Sequence, residues 1–133
     1  MFVVVIVGVI MVVALPAYQN QVLKTKRSLA RAELVAVAAR QEQFFVNNRQ
    51  YSSTLAGLGY ADPYAIDEEA NDVSSTSGDR IYTISLTTVS ATSFTVQAVP
   101  QLGQTKDALC GTLQLTSTGV KSASGSGGTG ECW

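Results

Sequence analysis

The chain has 133 residues, nine Lys and Arg against ten Asp and Glu, a formal net charge of −1 and no histidine. That length bounds it to one domain plus an appended helix. The lack of histidine excludes His-based triads, His general bases and His metal ligands. No Ser sits in a Gly-x-Ser-x-Gly elbow and no phosphate-binding loop is present, so catalysis has almost no foothold and no cofactor or metal is expected. The charge is also split: residues 1–50 hold six basic and two acidic side chains, net +4, whereas residues 51–133 hold three and eight, net −5. An acidic C-terminal part is a poor generic nucleic-acid surface, because phosphate binding needs clustered Lys and Arg.

Thirteen of the first fifteen residues are Val, Ile, Leu, Met or Phe, the exceptions being Gly8 and Ala14, and the first charged side chain is Lys24. As a helix, residues 1–23 would span roughly 35 Å, near the thickness of a bilayer's hydrocarbon core. Such a stretch belongs in a membrane, in the core of an assembly, or in a removed signal peptide. Ala14-Leu15-Pro16-Ala17 has the small residues of a cleavage site. Two features count against cleavage: no basic n-region precedes the apolar run, and the helical pattern continues past Pro16. Met1 and Met11 belong to the apolar stripe, as lipid or core contacts.

Residues 18–50 are dominated by good helix formers, with no Gly or Pro between Ala17 and Gln50. Leu34, Val37, Gln41, Phe45 and Asn48 share one face, and Leu29, Ala32, Ala36, Ala39 and Gln43 line its neighbour. The pattern predicts one long helix over residues 1 to about 49, roughly 75 Å end to end, whose second half lies on a sheet. Pro16 interrupts it, since the Val12 carbonyl loses its helical donor, and Gly8 weakens the same stretch. Gly8 and Pro16 therefore mark where the helix breaks on assembly. Lys24, Lys26, Arg27 and Arg31 form a basic base suited to lipid headgroups or to acidic neighbours in an assembly.

Residues 51–80 read as a long loop rich in Gly, Ser, Asn and acids, with a short helical turn near Ala65–Ala70. The acidic group Asp67–Glu69 lacks EF-hand spacing and reads as a solvated face. From Arg80 the period becomes two: Tyr82, Ile84 and Leu86, then Phe94, Val96 and Ala98, alternate with polar residues. Thr112–Thr116 is a third run, and Val120–Ser122 adds a short fourth. The expected fold is α+β, a long N-terminal helix packed on an antiparallel sheet of three to four strands within residues 81–133.

Cys110 and Cys132 are the only cysteines. An even pair in a small chain with a membrane-export start reads as a disulfide formed in an oxidising compartment. The 21 residues between them include the run Ser122–Gly130, rich in Gly and Ser, which has too little apolar surface to hold itself down. Closing such a loop contributes about 3 kcal/mol. A zinc site would need further ligands, and a redox pair is more often Cys-x-x-Cys.

The apolar start through Tyr18, with Gly8 and Pro16, resembles the N-terminal helix of type IV pilins. Ala32–Tyr51 followed by Leu55-Ala-Gly-Leu-Gly-Tyr60 is similar to the end of the pilin helix and the start of its αβ-loop. Cys110–Lys121 with the closing Glu131-Cys-Trp133 resembles a group of minor pilins that includes a competence pilin binding DNA-uptake sequences. In that alignment the family's leader, its cleavage site and the Glu of Gly-Phe-Thr-Leu-Ile-Glu all precede Met1. The expectation is a truncated start, and a chain not cut by prepilin peptidase as written. The visible basic base, under the positive-inside rule, would put the C-terminal side in the cytoplasm; the basic leader that the resemblance implies reverses this.

The resemblance implies a structural subunit of a type IV pilus, a minor one, assembling with other pilins through its apolar helix. It would sit in the inner membrane before assembly, engage the pilus assembly machinery, and then stand in an extracellular filament serving motility, adhesion or DNA uptake. The alternatives are a pilus-borne receptor for DNA or a surface, and a type II secretion pseudopilin. Arg80, Lys106 and Lys121 are the head's only cations and the sole candidates for DNA contact there, which ranks DNA binding below subunit assembly.

Overall fold

The computed structural model describes residues 2–133, with the side chains of all of these except residues 2, 3, 11, 13, 14 and 16. Helix α1 (Phe2–Asn48) is 47 residues long. It continues through Gly8 and Pro16, so the interruption expected at the proline is not a break in the isolated chain. The contacts expected of Met1, of the Met11 side chain and of the Pro16 ring lie outside the described residues.

Among the described residues, α1 meets the rest of the chain from about Leu23 onward. Ala30, Leu34, Val37 and Gln41 recur every three or four residues, all with no exposed surface, which is the spacing of one helix face. Farther along, Phe45 is half-buried and Asn48 exposed, so the helix leaves the core near its end.

The sheet has six antiparallel strands in the order β2-β1-β3-β4-β5-β6. They are β1 (Tyr64–Ile66), β2 (Asp72–Ser74), β3 (Tyr82–Val89), β4 (Phe94–Pro100), β5 (Leu113–Thr116) and β6 (Lys121–Ala123). The class is the expected α+β, and the strand count exceeds the three to four expected. The two additional strands, β1 and β2, lie in the stretch read as loop. The helical turn expected near Ala65–Ala70 is replaced by the end of β1 and a tight turn. In that turn the Asp67 carboxylate accepts hydrogen bonds from the backbone N–H groups of Glu69 and Asn71. Three-residue strands are too short to show a period. β1 is a strand because it pairs with β3, Tyr64 opposite Ile84, and its three residues are buried.

In the long strands Tyr82, Ile84, Phe94, Val96, Ala98, Leu113 and Leu115 point at α1 and are buried. The opposite face is uncharged and polar, as an antiparallel sheet with one solvated side requires. Gln97 donates to Ser85, Gln114 donates to Gln97, and Ser122 donates to Gln114, forming a row across four strands. A register shift between Leu86 and Thr88 bends β3 near its end. Short 3₁₀ turns occupy Ala56–Leu58 and Leu102–Lys106, and a five-residue helix, α2 (Gly128–Cys132), ends the chain.

Candidate assembly surface and disulfide-bounded loop

From Val4 to Tyr18 of α1 the described side chains are exposed, and nearly all are apolar. Val4, Val12 and Tyr18 are 76%, 73% and 69% exposed, and Ile6, Val9, Ile10 and Leu15 about as much. Monomeric soluble proteins rarely expose a continuous apolar patch of this length. Among the described residues no helix is long and apolar enough to cross a membrane; several side chains of this stretch are not among them.

Where α1 leaves this apolar stretch, its basic base is clamped to the head. Arg27 and Asp107 form a bidentate ion pair at 2.8 and 2.7 Å, both nearly fully buried. The Gln104 amide donates to the Leu23 carbonyl at 3.1 Å and to the Tyr82 hydroxyl at 3.0 Å. Burial pushes the Tyr82 hydroxyl up to about 12. Nothing local in the sequence signals these contacts, because the ion-pair partners lie 80 residues apart.

A second set of contacts fixes the segment after the helix. The Gln41 side chain donates to the Ser52 carbonyl and accepts from the Ser52 N–H, at 3.0 and 2.9 Å, as a neighbouring strand would. A buried amide satisfied in this way costs little. Tyr64 donates its hydroxyl to Glu33, its ring stacks on Tyr60 at 4.7 Å, and the Arg40 guanidinium lies 4.6 Å above Tyr60. Arg40 also donates to the Leu58 carbonyl. Burial is the main cause that raises the Glu33 carboxyl above its ordinary value, against the lowering effect of the Tyr64 hydrogen bond.

Cys110 and Cys132 are joined in a disulfide, with both residues at no exposure. The loop between them is tied down more firmly than its composition suggests. Gly125 N–H donates to the Cys110 carbonyl and Gly127 N–H to the Leu109 carbonyl, at 2.9 and 2.8 Å. A Cβ on Gly125 would meet the Leu109 carbonyl oxygen at 2.3 Å, so the glycine is what lets the two backbones touch. The Ser124 hydroxyl accepts from Thr112 N–H, and the Trp133 indole donates to the Ser122 carbonyl.

The three candidate DNA-contact cations do not line one groove. Arg80 donates to the Ser77 carbonyl and to Gln101 and borders a cleft shared with Asp67, Glu68, Glu69 and Asp79. Lys106 is exposed at the end of the second 3₁₀ turn, near that cleft. Lys121 lies elsewhere, on β6, with its ammonium 5.5 Å from the centre of the Trp133 ring. It shares a groove with Arg31, a cation that reading the head alone left out.

A long helix whose apolar half stands free, and whose other half closes an antiparallel sheet with a C-terminal disulfide, is the architecture of a type IV pilin. Solved structures agree on the fold. A type IV pilin from Shewanella oneidensis is 23% identical with a TM-score of 0.57, covering 84% of this chain and 97% of its own. The non-core minor pilin PilV of Neisseria meningitidis is 20% identical with a TM-score of 0.51, covering 77% and 87%. No curated protein matches the chain. The family described as type IV minor pilin ComP, DNA uptake sequence receptor, matches residues 16–114, and the chain belongs to that family.

Proposed function

We propose that the chain is a minor subunit of a type IV pilus, held in the filament by the apolar half of α1 and displaying the sheet domain outside. Before assembly it resides in the inner membrane, where the pilus assembly machinery collects it. Its partners are other pilin subunits, and no catalytic role is proposed. The observation that carries this reading is the run of exposed apolar side chains described between Val4 and Tyr18, which calls for an apolar partner. The test is recovery of the full chain in filaments sheared from a piliated cell. Val9→Asp together with Val12→Asp should abolish incorporation while leaving the head folded. Equal recovery of the charged variant would overturn the reading.

A second reading, contact with DNA, is favoured by the description of the family to which the chain belongs. Against it stands the net −5 of residues 51–133. The two readings are compatible, since a filament subunit can also be the part that touches DNA.

A further inference from the structure

The loop that follows β4 presents two exposed leucines where the head meets the base of α1. Leu102 is 48% and Leu109 42% exposed, and the exposed Lys106 stands between them in the chain. Leu102 opens the second 3₁₀ turn with φ at 52°. That is the left-handed region, where a non-glycine residue costs free energy. The fold therefore holds an apolar side chain outward at a conformational cost.

The height of this loop along α1 is fixed. The Gln104 amide donates to the Leu23 carbonyl, and Asp107 holds Arg27 in the buried bidentate pair. Leu23 directly precedes Lys24, the first charged residue of the chain. Tyr18, 69% exposed at the end of the apolar run, has the apolar ring and polar tip that favour the boundary between hydrocarbon and headgroups. Leu23 lies about 7.5 Å farther along the helix, and the headgroup layer on one side of a bilayer is about 5–7 Å thick. With α1 in a bilayer, the loop stands at the outer edge of the headgroups, within reach of a leucine or lysine side chain. Charge does not oppose the approach. Leu102 borders the cleft of Asp67, Glu68, Glu69 and Asp79, which also holds Lys26 and Arg80. Lys24 and Lys106 bring these groups to four cations against four carboxylates.

We infer that the loop from Leu102 to Leu109 is a lipid contact that seats the head on the bilayer surface. This rests on the membrane stage of the pilus-subunit reading. Leu102 and Leu109 lie among the headgroups, where their burial supplies the attraction. Lys106 and Lys24 extend their stems along the same surface and place their ammonium groups at the phosphates. Because the charges balance, the contact does not require an anionic lipid.

The test is fluorescence of the full chain in phosphatidylcholine vesicles, with Trp133→Phe as the background so that one indole reports. Leu102→Trp and Leu109→Trp are compared with Ala91→Trp. Ala91 lies in the turn between β3 and β4, at the far end of β4 from the loop, roughly 20 Å away. Both leucines are already exposed, and an intact Cys110–Cys132 bridge, read by mass, reports that each variant folds. A nitroxide carried on the lipid headgroup should quench Leu102→Trp and Leu109→Trp at least twofold more than Ala91→Trp, with phosphatidylcholine alone or mixed with phosphatidylglycerol. Equal quenching at the three positions, with the chain in the vesicles, would overturn the inference and leave the pilus reading standing. So would a difference that appears only with phosphatidylglycerol, since charge and not the leucines would then make the contact. Failure of the folded parent chain to enter vesicles would overturn both the inference and the membrane stage on which it rests.

Discussion

Glu33 shows how one side chain couples the helix to the segment behind it. Its carboxyl is raised from the ordinary 4.5 chiefly by burial. Tyr64, Tyr60, Arg40 and Asp72 are the other titratable or charged groups around it. Because the folded value lies above the unfolded one, the group's contribution to stability is fully present below about pH 4.5 and is lost as pH rises through the folded value. Glu33→Gln keeps an acceptor for the Tyr64 hydroxyl and removes the titration. In denaturant titrations of the full chain in detergent, the variant should gain on the parent as pH rises from about 4 to 7. A parent that gains on the variant over that range would show that charged Glu33 is stabilised by the fold. The alternating strand residues were legible in the sequence because one period decides which face they take. Arg27–Asp107 and Gln41–Ser52 were not, because each joins partners brought together only by the finished fold. Gln41 was correctly placed on the inner face, yet nothing nearby announced that its amide would stand in for a strand.

At the scale of elements, the disulfide and the long helix invite different tests. The bridge fixes α2, with Trp133 behind it, to the start of β5. Replacing Cys110 with Ser should lower stability by about 3 kcal/mol and free the segment after β6. The β5–β6 hairpin should survive, because its own backbone pairs hold Leu113 to Ala123 and Leu115 to Lys121. Mass analysis of exported protein under non-reducing conditions would refute this if it found two free thiols. In α1 the weak point is residues 8–16, where Gly8 lowers helix propensity and Pro16 removes a donor. The helix is continuous there in the isolated chain. In a filament, neighbouring helices can satisfy the freed carbonyls, so at least partial unwinding of residues 8–16 is expected on assembly. Cryo-EM maps of filaments containing the chain would reject it by showing unbroken hydrogen bonding from Gly8 through Pro16. The two missed strands and α2 have one cause in common. Tyr64–Ile66, Asp72–Ser74 and the Gly-Thr-Gly start of α2 are too short to carry a period, and what makes them regular is pairing, β1 with β3 and β2 with β1, or tethering through Cys132. The three longer strands and the helix announced themselves because each carries its own period.

Charge over the whole molecule decides how DNA should meet this protein. The head's net −5 repels a phosphate backbone before any local contact forms. The distribution is sharper than the sum. Arg80 is engaged by Ser77 and Gln101 and surrounded by carboxylates, so it offers little to a phosphate. Arg31 and Lys121 lie together beside an indole, so their groove combines cations with a stacking surface. A subunit whose role is structural should therefore bind duplex DNA weakly and without sequence preference, with Kd no tighter than about 10⁻⁶ M at physiological salt. The measurement must use the full chain in detergent. A chain beginning at Gln50 would lose Ala30, Leu34, Val37 and Gln41 from the core and would not keep the head folded. Titrations against many duplex sequences should then include Lys106→Glu with Lys121→Glu as one variant and Lys24→Glu as the control for the helix base. Sub-micromolar binding that depends on sequence and disappears in the first variant would make the receptor reading the better one. Binding lost only with Lys24→Glu would locate the contact on the helix base, which assembly should hide, and would leave the structural reading standing.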